Sequence, residues 1–280
     1  MRILVTNDDG YRAGGIHALV DMLRPFGELT VIAPKYHQSG TSMAVTMGLR
    51  PIAAKRLPDS DGARWFYVDG TPASCVKFGT DEVFTDRLPD LVVSGINHGA
   101  NCASAVLYSG TLGAAKEAAL AGIPAIGVSL DDMSEYADFS CMKRIFPRLF
   151  QDLLDRMGSR FGEYYNINFP ALPESDIKGI RTADQGIIHW TNEFEPYDYN
   201  VFDQLGIRPL DMGITALPEL EEGEQVYVMK GNLVNDPRNG ANADHTLLKQ
   251  GYVTVSCHNI DCCDKEENLR MKAAGIEKDF

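Results

Sequence analysis

Residues 1–10, MRILVTNDDG, decide the fold class. Residues 2–6 (RILVT) form a short aliphatic and β-branched run, which is typical of a strand covered on both faces. Residues 7–10 (NDDG) are turn formers that end the strand. The apolar residues that follow recur at the spacing of one helix face, and they are Ile16, Leu19, Val20 and Leu23. The chain therefore opens with a strand, a turn and an amphipathic helix.

The same alternation continues through the first half of the chain. A second strand is predicted at residues 29–33, and further strands at residues 91–94 (LVVS) and 125–130 (AIGVSL), with an Ala-rich helix near residues 112–121 between them. Strands that alternate with helices form parallel sheets with crossover helices. We predict an α/β fold with a Rossmann-like, mostly parallel sheet flanked by helices.

The alternation fades beyond residue 172 or so. Residues 225–229 and 252–255 look like strands. We therefore predict a catalytic core at residues 1–180 and a C-terminal hairpin appendage at residues 181–280, joined in one continuous structural unit.

The charge balance limits the partners that we expect. Among 280 residues, 26 Lys and Arg face 39 Asp and Glu, a net charge of −13, which disfavours binding to nucleic-acid polymers and anionic membranes. No apolar run approaches the ~18 residues that span a bilayer. The first ten residues carry acids where a signal peptide has its apolar centre, and the six cysteines are scattered. We expect a cytoplasmic protein with reduced thiols.

Oxygen-bearing side chains follow three of the predicted strands. Asp8 and Asp9 follow the first strand, and two adjacent carboxylates repel each other unless a cation or a proton intervenes. One of them could instead cap a helix or turn. Ser39 lies after the second strand, in a loop that could bind a metal or phosphate or could be merely flexible. Asn97 follows residues 91–94 and could add an amide oxygen.

A possible anion site opens the Ala-rich helix. The sequence there is Ser109-Gly110-Thr111, and Thr111 is predicted to be the N-cap. The free N–H groups of a helix start bind anions with help from the helix dipole. An ordinary cap without a ligand is the alternative. His98 could reach a bound phosphate from the Asn97 loop, but we expect it to be a solvated loop residue. No spacing singles out a histidine as a base.

Together these groups indicate a metal-dependent phosphomonoesterase. Carboxylate, hydroxyl and amide oxygens suit Mg²⁺ or Mn²⁺ better than zinc. Such an ion beside a helix start can activate water against a bound phosphate. The G-x4-G-K-[ST] loop of nucleoside triphosphatases is absent. A Cys and His cluster near the C-terminus lacks zinc-ribbon spacing, so we expect no structural zinc there; it comprises Cys257, His258, Cys262 and Cys263.

Several long motifs resemble one family in the same order. They are MRILVTNDDG at the start, AP-x4-SG at residues 33–40, DGTPASCVKFG at 69–79, PDLVVSGINHGAN at 89–101 and YSGTLGAAKEAALAGIPAIGVSL at 108–130. Fainter matches are NINFP at residues 166–170 and GYVTVS at 251–256. In these motifs the chain resembles the SurE family, the survival-protein nucleotidases.

The resemblance implies a 5′- and 3′-nucleotidase that acts on nucleoside monophosphates, and also on short polyphosphate, with one divalent metal ion. By motif, the implied metal ligands are Asp8, Asp9, Ser39 and Asn97. The implied phosphate-binding residues are Asn101, Ser109, Gly110 and Thr111. The resemblance also implies a homodimer or homotetramer that exchanges C-terminal segments.

The chain departs from the family pattern at two places. The loop at residues 35–40 reads KYHQSG, with Lys35, Tyr36 and His37 in place of the usual residues. After GYVTVS the family generally continues toward Thr-Pro, whereas this chain continues with CHNIDCCD and a polar tail.

Two alternative functions remain open at this level. A receiver-type signalling module also places an acidic pair after its first strand, but it needs a phosphoacceptor Asp after a later strand, and residues 91–94 are followed by none. A nucleotide-binding protein without turnover is the other, and an inorganic phosphate assay distinguishes it. For the predicted hydrolase, Asp8 and Asp9 are both candidates for the base.

Overall fold

The computed structural model of the chain describes residues 1–48, 50–158, 160–197, 220–229 and 231–278. Its helices are α1 (Gly14–Leu23), α2 (Pro72–Phe78), α3 (Gly110–Leu120), α4 (Ser140–Leu154), α5 (Asp244–Lys249) and α6 (Lys265–Ala273). Its strands are β1 (Arg2–Thr6), β2 (Glu28–Pro34), β3 (Ala54–Arg56), β4 (Ala63–Val68), β5 (Leu91–His98), β6 (Ala125–Leu130), β7 (Glu163–Phe169), β8 (Gly179–Thr182), β9 (Ile188–Thr191), β10 (Phe194–Pro196), β11 (Tyr227–Met229), β12 (Asn232–Asn235) and β13 (Tyr252–Asn259). None of the helices in these ranges is long and apolar enough to cross a membrane.

Within the described ranges, nine strands form one sheet in the order β3-β4-β2-β1-β5-β6-β7-β13-β8. The strands from β4 to β7 in this order pair in parallel, while β3 and β13 run antiparallel to β4 and β7. The predicted α/β fold is confirmed. The chain moves outward from β1 through β2 and then returns to the other side of β1 as β5. Ligands of open α/β sheets bind at such a reversal, beyond the carboxyl ends of the strands.

The residues of β1 explain why the sheet has helices on both faces. Ile3 and Val5 point into an apolar cluster that they share with α1 and α4, whereas Leu4 points into a second cluster with α2 and α3. All three side chains are fully buried. Burial of such a side chain contributes about 1.5–3 kcal/mol. The continuous apolar run of β1 therefore packs against a helical layer on each face of the sheet.

The strand predicted at residues 91–94 continues as β5 to His98. Its register against β6 shifts between Ser94 and Asn97, so β5 carries an extra residue at this point. The start of α1 packs directly on this irregular stretch, because a Cβ on Gly15 would lie 2.1 Å from the Ile96 carbonyl oxygen. Asn97 is consequently presented at the carboxyl end of the sheet, beside the end of β1.

The segment predicted as the appendage contributes to the main sheet as well as to separate hairpin strands. β13 lies within the main sheet between β7 and β8, and the predicted boundary at residue 180 falls inside β8. Strand β9 pairs with β12, and β10 pairs with β11, both antiparallel. We call these four strands the ribbon. Residues 198–219 of the predicted appendage lie outside the described ranges.

Candidate functional site

The turn after β1 presents the two aspartates at the carboxyl edge of the sheet. The Asn7 side chain closes this turn, since its Nδ2 donates to the Gly10 carbonyl over 3.0 Å and its Oδ1 accepts from the Gly10 N–H over 3.2 Å. Gly10 has a φ of +98°, which favours glycine. Asn7 is fully buried and Asp8 is 3% exposed. The NDDG sequence thus builds a rigid platform for Asp8 and Asp9.

Asp8 and Asn97 converge on one hydroxyl. Thr111 Oγ1 donates to Asp8 Oδ1 and lies 3.2 Å from Asn97 Oδ1. The Asn97 amide is oriented by its Nδ2, which donates to the Gly99 carbonyl over 2.6 Å. Because a hydroxyl carries a single hydrogen, it cannot fully satisfy both oxygens. Asp8 Oδ1 and Asn97 Oδ1 are therefore two buried acceptors that share one donor hydrogen, that of the Thr111 hydroxyl. A cation bound between the two oxygens would satisfy both.

Asp9 is also fixed by hydrogen bonds. Its Oδ2 accepts from the His98 N–H over 3.2 Å, and its Oδ1 lies 3.3 Å from His37 Nδ1. The side chains of Asp9 and His37 are only 7% and 14% exposed. The carboxylate is thus held against β5 on one side and the loop after β2 on the other.

Burial and the neighbouring Asp9 charge raise the pKa of Asp8 from 3.8 to about 7, although the Thr111 hydrogen bond opposes the shift. Two carboxylates that are adjacent and poorly hydrated cannot both ionise cheaply. A bound divalent cation would favour the ionised pair. The repulsion within this acidic pair is therefore relieved either by a proton on Asp8 or by a cation.

Ser39 lies in a loop that is docked beside Asp8. The Gln38 N–H donates to the Asp8 carbonyl over 2.7 Å, and the Ser42 N–H donates to the Tyr108 carbonyl over 2.9 Å. Gly113 permits this docking, because a Cβ there would lie 1.8 Å from the Ser42 carbonyl oxygen. Ser39 itself is exposed. The loop therefore adjoins the aspartates through its backbone.

Helix α3 begins directly against Asp8. Ser109, not Thr111, is the N-cap, since its Oγ accepts from the Leu112 N–H over 3.1 Å. The prediction of Thr111 as the cap was wrong, because the Thr111 hydroxyl is engaged with Asp8. A Cβ on Gly110 would lie 2.9 Å from Asp8 Oδ2, so only glycine allows this approach. The first-turn N–H groups of α3, which lack intrahelical partners, thus open beside the carboxylates.

Asn101 lies four residues after Asn97, in the loop that follows β5. It is 6% exposed, and its Nδ2 donates to Ser129 Oγ over 2.9 Å. Its backbone is held by Asn166 and Asn168 of β7. The structure thus brings Asp8, Asp9 and Asn97 to one edge of the sheet, with Asn101 in the loop that follows β5.

Sequence reasoning missed contacts made by His37, by the pair Asn166 and Asn168, and by His98. His37 reaches Asp9, although no spacing pointed to it. Asn166 and Asn168 could have been found, because they are polar residues two apart in an otherwise buried strand and therefore share one face. The expectation of a solvated His98 was wrong: its Nδ1 lies 2.8 Å from the Ser134 carbonyl oxygen, and its Nε2 is buried.

The donor chemistry fits a hard cation. Within the described ranges, no three His, Cys, Asp or Glu side chains are grouped to hold a metal ion. A site at Asp8 and Asp9 therefore depends on amide, hydroxyl or water oxygens to complete its shell. Oxygen-only shells of this kind suit Mg²⁺ or Mn²⁺.

Comparison with known proteins gives one consistent result. The family model described as "Survival protein SurE" matches residues 3–192. A protein named 5′-nucleotidase SurE from Porphyromonas gingivalis is 48% identical over 91% of this chain and 89% of its own length. A protein of the same name from Syntrophomonas wolfei is 42% identical over 94% of this chain and 90% of its own length. The crystal structure of the SurE protein from Aquifex aeolicus superposes with a TM-score of 0.76 and 29% identity, covering 98% of this chain and 100% of that one. The chain belongs to the SurE survival-protein family.

Proposed function

We propose that this protein hydrolyses nucleoside 5′-monophosphates to nucleoside and phosphate with the help of one Mg²⁺ or Mn²⁺ ion. The observation that carries the proposal is the convergence of Asp8 and Asn97 oxygens on the start of α3. The relatives named 5′-nucleotidase SurE support the substrate class.

The residues that would hold the cation are Asp8, Asp9 and Asn97, joined by Ser39 from the adjoining loop. When bound, such an ion lowers the pKa of water and polarises a phosphoryl oxygen. Two carboxylates beside an anion site repel a phosphate unless positive charge lies between them. A cation at Asp8 and Asp9 would therefore serve both the acidic pair and the binding of a phosphate substrate.

The chain's own groups then bind and orient the substrate. The N–H groups of Gly110 and Thr111 at the positive end of the α3 dipole, with the Asn101 amide, bind the phosphate oxygens. Ser109 keeps the first turn of α3 in place as its N-cap. Asp8 or Asp9 accepts the proton of the attacking water as its oxygen bonds to phosphorus. The bond between phosphorus and the nucleoside oxygen breaks on the opposite side, and that oxygen leaves with the proton taken from the water. Because the α3 start recognises phosphate and not a base, we extend the proposal to 3′-monophosphates and short polyphosphate.

Phosphate release from 5′-AMP, 3′-AMP and tripolyphosphate, measured with Mg²⁺, Mn²⁺ or chelator, tests this function. We expect metal-dependent release that Asp8→Asn reduces at least about a hundredfold. Asp81→Asn, at an exposed carboxylate outside the site, is the matched control and should leave turnover intact. Full turnover and unchanged metal affinity in Asp8→Asn would exclude the proposed site.

We also propose a homodimer or homotetramer in which C-terminal segments are exchanged. The ribbon supports this, because large apolar side chains on it are exposed by 40–67%; they are Trp190, Phe194, Tyr227, Met229, Leu233 and Val234. Apolar groups on so thin an element have no core of their own, and a second copy could cover them. Light scattering after gel filtration should give a mass of two or four chains, and a monomer would contradict this.

A cytoplasmic location is the last part of the proposal. All six cysteines are unpaired thiols, and Cys257, Cys262 and Cys263 are exposed. Exposed thiols of this kind persist in reducing compartments. Fractionation of the native host, with the protein detected by antibody, should find it in the cytoplasmic fraction, and recovery in the periplasm or medium would contradict this.

A further inference from the structure

Two asparagines of β7 are buried where a strand normally carries apolar side chains. Asn166 and Asn168 are both fully buried. Burial of an amide is costly unless its donors and acceptor are paired. The partners of these two side chains therefore indicate why polar residues occupy the strand.

Both amides are bonded to the backbone of one residue, Asn101. Asn168 Oδ1 accepts from the Asn101 N–H over 2.7 Å, and Asn166 Nδ2 donates to the Asn101 carbonyl over 2.8 Å. Asn168 Nδ2 donates to Asn166 Oδ1 over 3.2 Å, which orients the second amide by the first. The two side chains thus form the hydrogen bonds to the N–H and C=O of Asn101 that a neighbouring strand would otherwise form.

The segment at residues 99–103 depends on such contacts. Ala103 has a φ of +52°, and its N–H lies 3.0 and 2.9 Å from the two carboxylate oxygens of the fully buried Asp244. The side chains of Asn166, Asn168 and Asp244 therefore supply the hydrogen-bond partners of the buried backbone groups of Asn101 and Ala103. With its backbone fixed, Asn101 keeps its side chain on Ser129.

We propose that Asn166 and Asn168 are positioning residues for phosphate binding, acting through the backbone of Asn101. This inference rests on the proposed function, in which Asn101 binds the substrate's phosphate. The contacts of Asp8 with Thr111 and of Asp9 with His98 and His37 include neither asparagine. Loss of the asparagines should therefore weaken phosphate binding and leave metal binding unchanged.

The test uses Asn168→Ala, Asn166→Ala and the conservative Asn168→Asp, which keeps an acceptor for the Asn101 N–H. For each full-length protein we would measure kcat and KM for 5′-AMP, the inhibition constant of inorganic phosphate, Mn²⁺ affinity by calorimetry, and thermal unfolding. We expect Asn168→Ala to raise KM and the phosphate inhibition constant about tenfold or more. Mn²⁺ affinity should stay within about twofold, and Asn168→Asp should fall between wild type and alanine.

Asn259→Ala is the matched control. Asn259 lies on β13 opposite Glu163, five residues from Asn168 along β7 and so about 17 Å away. Its side chain also bonds a backbone carbonyl, that of Phe161, over 3.1 Å. This variant removes a side-chain bond to a backbone carbonyl from β13, the strand next to β7, and should leave KM and phosphate inhibition unchanged.

The outcomes separate the two proposals. A wild-type protein that neither hydrolyses 5′-AMP nor binds phosphate would overturn the proposed function and this inference with it. An active wild type with folded alanine variants of unchanged KM and phosphate inhibition would overturn only the inference. A parallel loss of Mn²⁺ affinity, or failure of all three variants to fold, would show that the asparagines serve general stability and would also overturn it.

Discussion

Substitution of Gly110 by alanine should impair activity without unfolding the protein. Gly110 is the first residue of α3, and an added Cβ would lie 2.9 Å from both the Cβ and Oδ2 of Asp8. This separation is about half an ångström short of the 3.4 Å at which ordinary contact begins, so the carboxylate must move. A displacement of ~1 Å at a reacting centre costs about a hundredfold in rate. We therefore expect kcat/KM to fall tenfold to a hundredfold and Mn²⁺ affinity to fall with it.

Stability should change little in the same variant. Alanine favours a helix by about 1 kcal/mol over glycine, and this gain offsets part of the ~1–3 kcal/mol cost of overpacking. Gly14→Ala is the matched control, because Gly14 is the first residue of α1 and a Cβ there meets only a Phe139 ring atom at 3.7 Å. Steady-state kinetics, calorimetry and thermal unfolding of both variants measure these effects. Wild-type activity and metal affinity in Gly110→Ala would refute the contact between α3 and Asp8.

Three further predictions concern pH, the α3 start and the core. Because the pKa of Asp8 is raised to about 7 and its proton must leave before a cation binds, Mn²⁺ affinity should fall as the pH drops below 7. Calorimetry at pH 5.5, 6.5 and 7.5 measures this, and a flat profile would contradict it. Ser109→Ala should cost about 0.5–2 kcal/mol of stability by urea unfolding and weaken phosphate inhibition, while Ser109→Thr should retain both; equal behaviour would argue against the cap. Leu4→Ala should cost about 2–5 kcal/mol in the same assay, against less than about 1 kcal/mol for Leu88→Ala at a 44% exposed site, and similar losses would contradict the two-layer core.

The sheet could be predicted because its strands carry local signals. Residues buried on both faces form continuous apolar runs, as in β1 and β6, and turn formers end them. The place of β13 could not be predicted in this way. It pairs with β7 across more than eighty residues of chain, and local periodicity does not specify a distant partner. The register shift in β5 also escaped prediction, because it extends the strand through glycine-containing residues that resemble a loop.

The site was predictable where chemistry follows strand ends. Asp8, Asp9 and Asn97 lie at the carboxyl edge because parallel strands end on the same side of the sheet. The N-cap was misassigned because Ser and Thr have similar capping preferences, and only the contact of Thr111 with Asp8 distinguishes them. Cross-chain contacts, such as that of His37 with Asp9, are set by how loops dock, and spacing along the chain does not encode them.

The most direct measurement is an anomalous difference map from crystals grown with Mn²⁺. Oxygen atoms of Asp8, Asp9 and Asn97 should surround a single peak within about 2.5 Å, next to the first turn of α3. A map without a peak at this position under saturating Mn²⁺, or with Asn97 turned away from the aspartates, would contradict the proposed metal site.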